Sequence, residues 1–559
     1  MKECCLKDRA DGLFSLRRML CSIAPGVLLA FFFVYGKYLM EKETLVGAVQ
    51  ATWLPWLGLS VLYACLLFIL YVLLERNSER AFSQVHAAWG WKVFAVVWAI
   101  LFLCWHPVLL ASWPGFFAND VTDQWQQVVT GVWNGHSPVL HTALMGGIVE
   151  GLHALTGDYN LAVAGYTIVQ MLVMSCIFAY AILFLYRQSG YCKWLAVLAL
   201  CYYGLFPVCS MFSVCATKDS LFSSMLLMEL LCIIELIREP ERFFRSGWRI
   251  ARFCVISFLT LAMRNNIFAA FLLFTPFLIG QMKAYRKKTA VLMAVILAVM
   301  GLYYGPLFSA LQIKRGGKPD ILSVPLQQIS RVYTVSNDTF TEAEWAVLFE
   351  VLPEDVMEDY EPMLADQVKG RFHATEFGAN LARYGKIYLT GLMRAPRVYL
   401  EAFMLNNLYA WYPDSTIDGY VRAGTHPYEE AETCYFEPVA DEPAHMESKL
   451  PGLLAFYETI STKRSIQNIP VVKWLFSIGA MLWLVVITFF YGVWRRRKDV
   501  YLPLWMVLLT CLVTFFNPIV LVRYYLILFF SFPLLLTKLF QRNEQKKAQR
   551  DAPCFLGES

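Results

Sequence analysis

The residues most able to do chemistry in this sequence lie between positions 112 and 147. This stretch contains two Asp, three Gln and two His but no Lys or Arg. A carboxylate in such a place can accept the proton of a hydroxyl group that is about to react. The candidate polar residues are Asp120, Asp123, Gln124, Gln127, His136 and His141.

The spacing of these residues predicts a helix. The two Asp and two of the Gln recur at i, i+3, i+4 and i+7, which places them on one helical face, while Trp and Val occupy the other. We therefore expect an amphipathic helix on the outer surface of the membrane, with its carboxylates in a polar stripe. A second, apolar helix is expected from about 139 to 155.

Three short loops, which we predict on the outer side of the membrane like the amphipathic helix, each contain one cation beside polar residues. They read Thr217-Lys218-Asp219, Arg264-Asn265-Asn266 and Arg523-Tyr524-Tyr525. Ionisable groups at such a depth are costly and usually have a partner. Acidic groups on one helix and cations at several helix ends favour a substrate that carries a phosphate and a hydroxyl. The alternative is that the carboxylates solvate an interfacial helix while Lys218 and Arg523 snorkel to the interface.

Composition indicates the elements that must position these groups. Of 559 residues, 58% are hydrophobic and only 16% are charged, which is typical of a membrane protein. Since about 20 apolar residues cross the hydrocarbon core, we predict an all-α polytopic protein of about twelve transmembrane helices. The predicted spans are 19–36, 53–74, 92–112, 160–186, 194–214, 219–237, 250–264, 266–282, 289–311, 471–494, 500–516 and 519–537.

Charge placement predicts the orientation. Every even-numbered loop is basic, which places both termini in the cytoplasm. The segment 313–470, with 23 Asp and Glu against 14 Lys and Arg, is then extracytoplasmic. We expect helical pieces over 372–409 and loop over 412–443.

Basic residues fall in short loop clusters, which argues against a nucleic-acid partner. The predicted divisions are 1–18 (tail), 19–112 (spans one to three), 113–159 (loop with amphipathic helices), 160–311 (spans four to nine), 312–470 (extracytoplasmic domain), 471–537 (spans ten to twelve) and 538–559 (tail).

Several short motifs resemble the GT-C class of membrane glycosyltransferases, and more specifically an uncharacterised bacterial family of GT-C-like integral membrane proteins. The resemblance covers about residues 90 to 540. Its motifs are Pro114-Gly115, Asp120-x-x-x-Gln124, His136-Ser-Pro138, His141-Thr142, Thr217-Lys218-Asp219, Arg264-Asn265-Asn266, Pro325-x-Gln327-Gln328 and Arg523-Tyr524.

The resemblance implies inverting transfer of a sugar from a polyprenyl-phosphate-linked donor to an envelope glycan, lipid or protein outside the cytoplasmic membrane. Asp120 or Asp123 would be the general base. The implied binding residues, with the cations holding the phosphate, are Gln124, Gln127, His136, His141, Lys218, Asp219, Arg264, Asn265, Arg523 and Tyr524. The resemblance does not specify a cofactor, and Asp120, Asp123 and His141 could hold a divalent cation, Mg²⁺ or Mn²⁺.

Two other functions fit a twelve-span protein. A solute or lipid-linked-glycan transporter would use ionisable sites near the midplane, and Glu229 is the residue placed to be one. An envelope polysaccharide polymerase or ligase would also use lipid-linked substrates on the outer side.

Overall fold

The structure is a computed structural model that describes residues 15–78, 90–117, 119–189, 192–314, 322–415, 442–461 and 469–540. Most of the predicted tails, 1–18 and 538–559, and most of the predicted loop 412–443 lie outside these residues.

The chain is a predominantly α-helical membrane protein. Its first part contains α1 (Leu16–Lys42), α2 (Ala48–Ser78), α3 (Trp91–Ala111), β1 (Phe116–Phe117), α4 (Asn119–Thr130), α5 (Val139–Thr156), α6 (Tyr159–Gln188), α7 (Lys193–Leu205), α8 (Pro207–Val214), β2 (Cys215–Ala216) and α9 (Lys218–Arg238). The next part contains α10 (Pro240–Arg245), α11 (Gly247–Met263), α12 (Ile267–Gln281), α13 (Arg286–Leu302) and α14 (Phe308–Ala310).

The helices of the polar segment and the C-terminal part follow. They are α15 (Ser323–Val335), α16 (Glu342–Phe349), α17 (Glu354–Glu358), α18 (Asp366–Gly370), α19 (Ala374–Ala379), α20 (Leu381–Arg394), α21 (Pro396–Asn406), α22 (Leu408–Trp411), α23 (Pro451–Ser461), α24 (Val472–Phe476), α25 (Ile478–Trp494), α26 (Lys498–Thr514), α27 (Leu526–Phe530) and α28 (Phe532–Phe540).

Seven helical segments of the described chain are long and apolar enough to cross a membrane. They are α1, α2, α3, α6, α9, the run Lys283–Ala310 and the run Val522–Phe540. The pair α7 and α8, bent by 49°, brings the number to eight if it is one span. Each of the twelve predicted spans coincides with helix, but α11, α12, α25 and α26 are only 15 to 17 residues long. Twelve crossings therefore stay a prediction.

The helix α9 is the centre of the bundle. The structure buries 89% of its most apolar window, against 22% for α2 and α3, and α9 packs against α6, α11, α26 and α27. Apolar residues surround this helix on all sides, which is the pattern of a buried helix. Its first residues, Lys218 and Asp219, are consequently held in the middle of one end of the bundle.

The helices α15 to α21 form a module with its own hydrophobic core, which includes the buried side chains of Val332, Trp345 and Met357. The helical pieces predicted over 372–409 are confirmed. Several hydrogen bonds join the module to the bundle; among them, the Leu45 amide donates to Glu401 Oε1 at 2.8 Å, and Asn406 Nδ2 donates to the Asn517 carbonyl at 3.1 Å. The module therefore lies at the end of the bundle where α1 meets α2.

The helices α1 and α2 approach each other closely at a glycine. A Cβ atom built on Gly26 would lie 2.6 Å from the backbone nitrogen of Ala64, whereas a Cβ atom on Gly58 in α2 would meet nothing within 4 Å. Backbone cannot yield as a flexible side chain can, so a methyl group at Gly26 must separate the two helices.

We expect Gly26→Ala to lower the stability of the protein by about 1–3 kcal/mol because of this overpacking. Gly58→Ala is the matched control, since it also adds one methyl group to a membrane helix. Thermal denaturation in detergent measures both variants, and equal melting temperatures would contradict the close approach.

Candidate active site

Two very short strands bring the first pair of candidate residues together. Phe116 pairs with Cys215 and Phe117 pairs with Ala216 in a parallel register. Each strand runs almost directly into a helix, β1 into α4 and β2 into α9. Because the register is fixed just before both helices begin, the two N-termini lie side by side. Asp120 and Lys218 stand in the first turns of these helices.

The other two cations come from breaks in helices. Arg264 is the extended residue that ends α11, with φ −153° and ψ 116°, and Arg523 lies in the 3-10 turn Val522–Tyr525 that precedes α27. Both α11 and α27 pack against α9, so their guanidinium groups reach the same end of the bundle as Lys218.

Five charged side chains form one connected set, which we call the ion-pair cluster: Asp120, Lys218, Asp219, Arg264 and Arg523. Lys218 Nζ and Arg523 Nη1 lie 2.8 Å and 3.1 Å from Asp120 Oδ2. Arg264 Nη1 lies 2.6 Å from Asp219 Oδ1, and Arg523 Nε lies 3.9 Å from Asp219 Oδ2. Arg523 thus connects the two carboxylates.

The cluster carries more positive than negative charge. Three cations face two carboxylates, which leaves a net charge of +1. Exposure differs along it: the Asp219 side chain is 0% exposed, while that of Asp120 is 36% exposed. The Asp120 end is therefore where another molecule can reach these charges, and the surplus positive charge favours an anion.

The ion pairs also fix the protonation of Asp120. Burial raises the pKa of this carboxyl, but the nearby charges of Arg523 and Lys218 outweigh burial and hold the pKa well below its usual range. Asp120 is ionised at neutral pH and tightly engaged by two cations. Because the two cations stabilise its charged form, Asp120 is a weak base until another anion replaces it beside them.

A buried polar chain supports the helix that carries Asp120. His141 Nδ1 lies 2.7 Å from Gln124 Oε1, and His141 Nε2 lies 2.8 Å from the Tyr166 hydroxyl. Tyr166 in turn contacts Gln170, whose amide donates to the Cys215 carbonyl of β2 at 2.8 Å. Burial, followed by the charge of Lys218, lowers the pKa of His141 to about 3, so the ring is neutral at physiological pH.

The amphipathic helix is confirmed as α4, but its polar residues do not share one exposed face. Gln124 and Gln127 are buried and Asp123 is exposed, while on the apolar face Val121 is buried and Val129 is more than half exposed. The side-chain amides of both glutamines can be buried because they have hydrogen-bond partners. Gln124 contacts His141, and Gln127 Oε1 accepts from the backbone N–H of Asn134 at 3.0 Å. Gln124, Gln127 and His141 therefore hold the helix in place and do not face an open cavity.

The remaining predicted residues divide into two groups. Asn265 and Tyr524 contact the site: Asn265 Nδ2 donates to the Gly135 carbonyl at 2.9 Å, and the Tyr524 ring lies 4.9 Å from the Arg264 guanidinium. Asp123 and His136 are exposed and belong to none of the ion pairs of the cluster. The structure thus brings Asp120 to the cations and leaves Asp123 outside.

The divalent-cation set considered from the sequence does not come together. His141 uses both ring nitrogens in other contacts, and Asp123 is exposed and takes part in none of the ion pairs that define the cluster. Within the described ranges, no three His, Cys, Asp or Glu side chains converge as metal ligands.

Sequence reasoning missed Tyr166 and Gln170. Both lie in α6, four residues apart and fully or almost fully buried. Their i, i+4 spacing within an apolar span was the available signal, because a buried polar pair on one face of such a helix needs partners.

Fold and site together define a polytopic helical membrane protein with a partly buried, charged site at one end of its bundle. The chain belongs to a family of unknown function, DUF6020, whose model matches residues 130–553. The matched part contains Lys218, Arg264 and Arg523 and begins after Asp120. No curated protein and no solved structure matches this chain.

We expect Asp219→Asn to destabilise the protein by about 3–5 kcal/mol, because it leaves the buried Arg264 guanidinium without its carboxylate. Asp123→Asn removes a carboxylate from an exposed position and serves as the matched control. Thermal denaturation of both variants tests the difference. A melting temperature for Asp219→Asn that equals that of the control would contradict the buried pair.

The ion pairs of Asp120 also predict a pH dependence. A carboxyl whose pKa is lowered by folding stabilises the protein fully above its unfolded pKa, about 4, and loses this contribution as the pH falls towards the lower folded pKa. The difference in melting temperature between the wild type and Asp120→Asn should be constant from pH 8 to 5 and shrink below about pH 4. A difference that already shrinks between pH 7 and 5 would refute the lowered pKa.

Proposed function

We propose that this protein is a GT-C-like, inverting membrane glycosyltransferase. It transfers a sugar from a polyprenyl-phosphate-linked donor to a cell-envelope glycan, lipid or protein at the outer face of the cytoplasmic membrane. The observation that carries the proposal is the ion-pair cluster, in which one accessible carboxylate and three cations from distant parts of the chain meet at one end of the bundle.

The proposed topology has twelve spans, with both termini in the cytoplasm. Four of the helices involved are shorter than a usual span, and they cross as members of a bundle in which neighbouring helices cover them. This topology puts the ion-pair cluster and the module of α15 to α21 on the outer side. The basic loops support that orientation.

The charge of the cluster favours a lipid phosphate as ligand. Its net charge of +1 leaves one positive charge for a phosphate group, and Arg and Lys both bind phosphate through charge-assisted hydrogen bonds. In the proposed topology, the cluster lies where helices end and therefore at the depth of a lipid headgroup. A donor whose phosphate lies at the interface and whose chain lies in the membrane meets both conditions.

Substrate binding would release the base. The donor phosphate takes the place of Asp120 beside Lys218 and Arg523, and the freed carboxylate turns to the acceptor hydroxyl. The hydroxyl oxygen attacks the anomeric carbon while its proton passes to Asp120. The bond from the anomeric carbon to the phosphate oxygen breaks, and polyprenyl phosphate leaves with the electron pair, stabilised by the same cations.

The pair of Asp219 and Arg264 has a different role in this proposal. Both side chains are buried, and Arg264 stacks against the Tyr524 ring. Asp219 lies near Nε of Arg523, whereas Asp120 contacts Nη1. The pair would therefore keep the Arg523 guanidinium in position when its contact with Asp120 is exchanged for the phosphate.

A transporter is the second candidate, and Glu229 favours it. This carboxyl in α9 is fully buried, and its Oε1 accepts a hydrogen bond from the Ser257 hydroxyl at 3.0 Å. Carriers use such intramembrane carboxyls to bind protons or solutes. Solute uptake into proteoliposomes that Glu229→Gln abolishes, without any covalent product, would favour the transporter over the transferase.

Asp120→Asn should reduce the turnover of sugar transfer by about 10²–10⁴-fold, because the variant lacks the general base. The assay follows labelled sugar from a polyprenyl-phosphate donor to envelope acceptors in proteoliposomes. Asp123→Asn, three residues along the same helix, is the control and should retain activity.

Lys218→Gln and Arg523→Gln should raise the KM for the donor and also lower the turnover, since they remove phosphate contacts made in the ground state and charge that stabilises the leaving phosphate in the transition state. Full turnover by Asp120→Asn, or equal losses in Asp120→Asn and Asp123→Asn, would rule out the proposed base.

A further inference from the structure

A second charged cluster lies at the opposite end of the bundle. We call it the arginine cluster, and its members among the described residues are four arginines and one carboxylate: Arg17, Arg18, Arg495, Arg496 and Glu75. They stand where α1 begins and where α2 and α25 end. The loop between α1 and α2 contacts the module, so the arginine cluster lies at the far end of the same two helices.

Glu75 is the centre of this cluster. Its Oε1 lies 3.1 Å from Arg18 Nη2 and 4.0 Å from Arg495 Nε, and the Trp494 indole donates to its Oε2 at 3.2 Å. The Arg18 guanidinium also lies 5.1 Å from the centroid of the Trp494 ring. Glu75 is thereby engaged on both oxygens.

The other two arginines, Arg17 and Arg496, add positive charge that Glu75 alone does not balance. Arg17 interacts electrostatically with Arg496 and with Glu75, and Arg17 Nη1 is buried without a hydrogen-bond partner among the described residues. Four guanidinium groups thus share one carboxylate in this part of the described chain. A buried cationic N–H group without an acceptor is costly, which points to an anion that completes the cluster.

Ordinary basic loops of this protein look different. Arg242 and Arg245, both in α10, lie on the same predicted cytoplasmic side, and their side chains are 73% and 78% exposed. Each forms an ion pair with a nearby glutamate, at 3.3 Å and 2.7 Å. The positive-inside tendency accounts for such exposed and paired arginines. It does not account for a cluster of four with one carboxylate and a buried, unpartnered nitrogen.

The surface beside the arginine cluster is apolar. Leu16, Met19 and Leu20 in the first turns of α1 are 73%, 40% and 53% exposed. These side chains interleave with Arg17 and Arg18 in sequence and face outward from the helix bundle. A ligand bound here would contact both the arginines and an apolar wall formed by these exposed side chains.

We propose that the arginine cluster binds an anionic phospholipid of the inner leaflet, with the lipid phosphate between Arg17 and Arg496 and the acyl chains along the first turns of α1. A guanidinium group matches the geometry of phosphate oxygens, and basic pockets between membrane helices bind anionic headgroups. Free phosphate shares the headgroup chemistry, but it would not use the apolar wall. The proposal is independent of the proposed transferase function.

The experiment uses the full chain, purified in a neutral detergent. Phosphatidylglycerol is titrated while thermal unfolding is followed, with phosphatidylcholine and inorganic phosphate as separate arms, because a ligand of the folded state raises the melting temperature. We expect phosphatidylglycerol alone to stabilise the wild type. At about 1 kcal/mol for each cation near the lipid, Arg17→Gln/Arg496→Gln should weaken the apparent affinity about 30-fold.

Two control variants make the result specific. Arg242→Gln/Arg245→Gln removes the same number of charges from the same predicted side and should keep the wild-type response, and Arg17→Lys/Arg496→Lys should keep most of it. Native mass spectrometry should find retained phosphatidylglycerol on the wild type and less on Arg17→Gln/Arg496→Gln, which is a measurement independent of stability. Equal stabilisation by phosphatidylcholine or by inorganic phosphate, or an equal loss in the Arg242 and Arg245 variant, would overturn the proposal.

Discussion

The cost of holding charge at the end of a membrane helix governs this structure. Asp219 is fully buried and Arg264 nearly so, and neither could stay in place without the other. Arg523 depends on both carboxylates, and Asp120 depends on Arg523 and Lys218. The break between α11 and α12, the turn before α27 and the paired strands before α4 and α9 all bring one of these charges to its partners.

Sequence periodicity predicted the amphipathic helix α4 because its polar and apolar residues recur at helical spacing. It failed to predict that part of the polar stripe turns inward. A polar stripe normally faces water, but Gln124 and Gln127 have partners in His141 and in the backbone of Asn134. The sequence does not reveal such partners, because they come from other elements whose positions depend on the whole fold.

The cations of the site could be singled out from sequence because each stands alone in a short polar loop between apolar runs. Their convergence could not be derived, since it depends on packing around α9. The two-residue strands β1 and β2 were also beyond sequence reasoning, because Phe116-Phe117 and Cys215-Ala216 are too short to show the alternating pattern of a strand. The same limit explains why Asp120 and Asp123 looked equivalent although only Asp120 reaches the cations.

The residues of the ion-pair cluster are far apart in the sequence, so they are synthesised at different times. Asp120, Lys218, Asp219 and Arg264 are all synthesised in the first half of the protein, and together they are electrically neutral. The surplus positive charge comes only with Arg523, close to the last helix. A nascent or truncated chain would therefore hold a balanced, closed set of charges with no attraction for anions, and the capacity to capture a ligand would arise only when the C-terminal helices have been inserted.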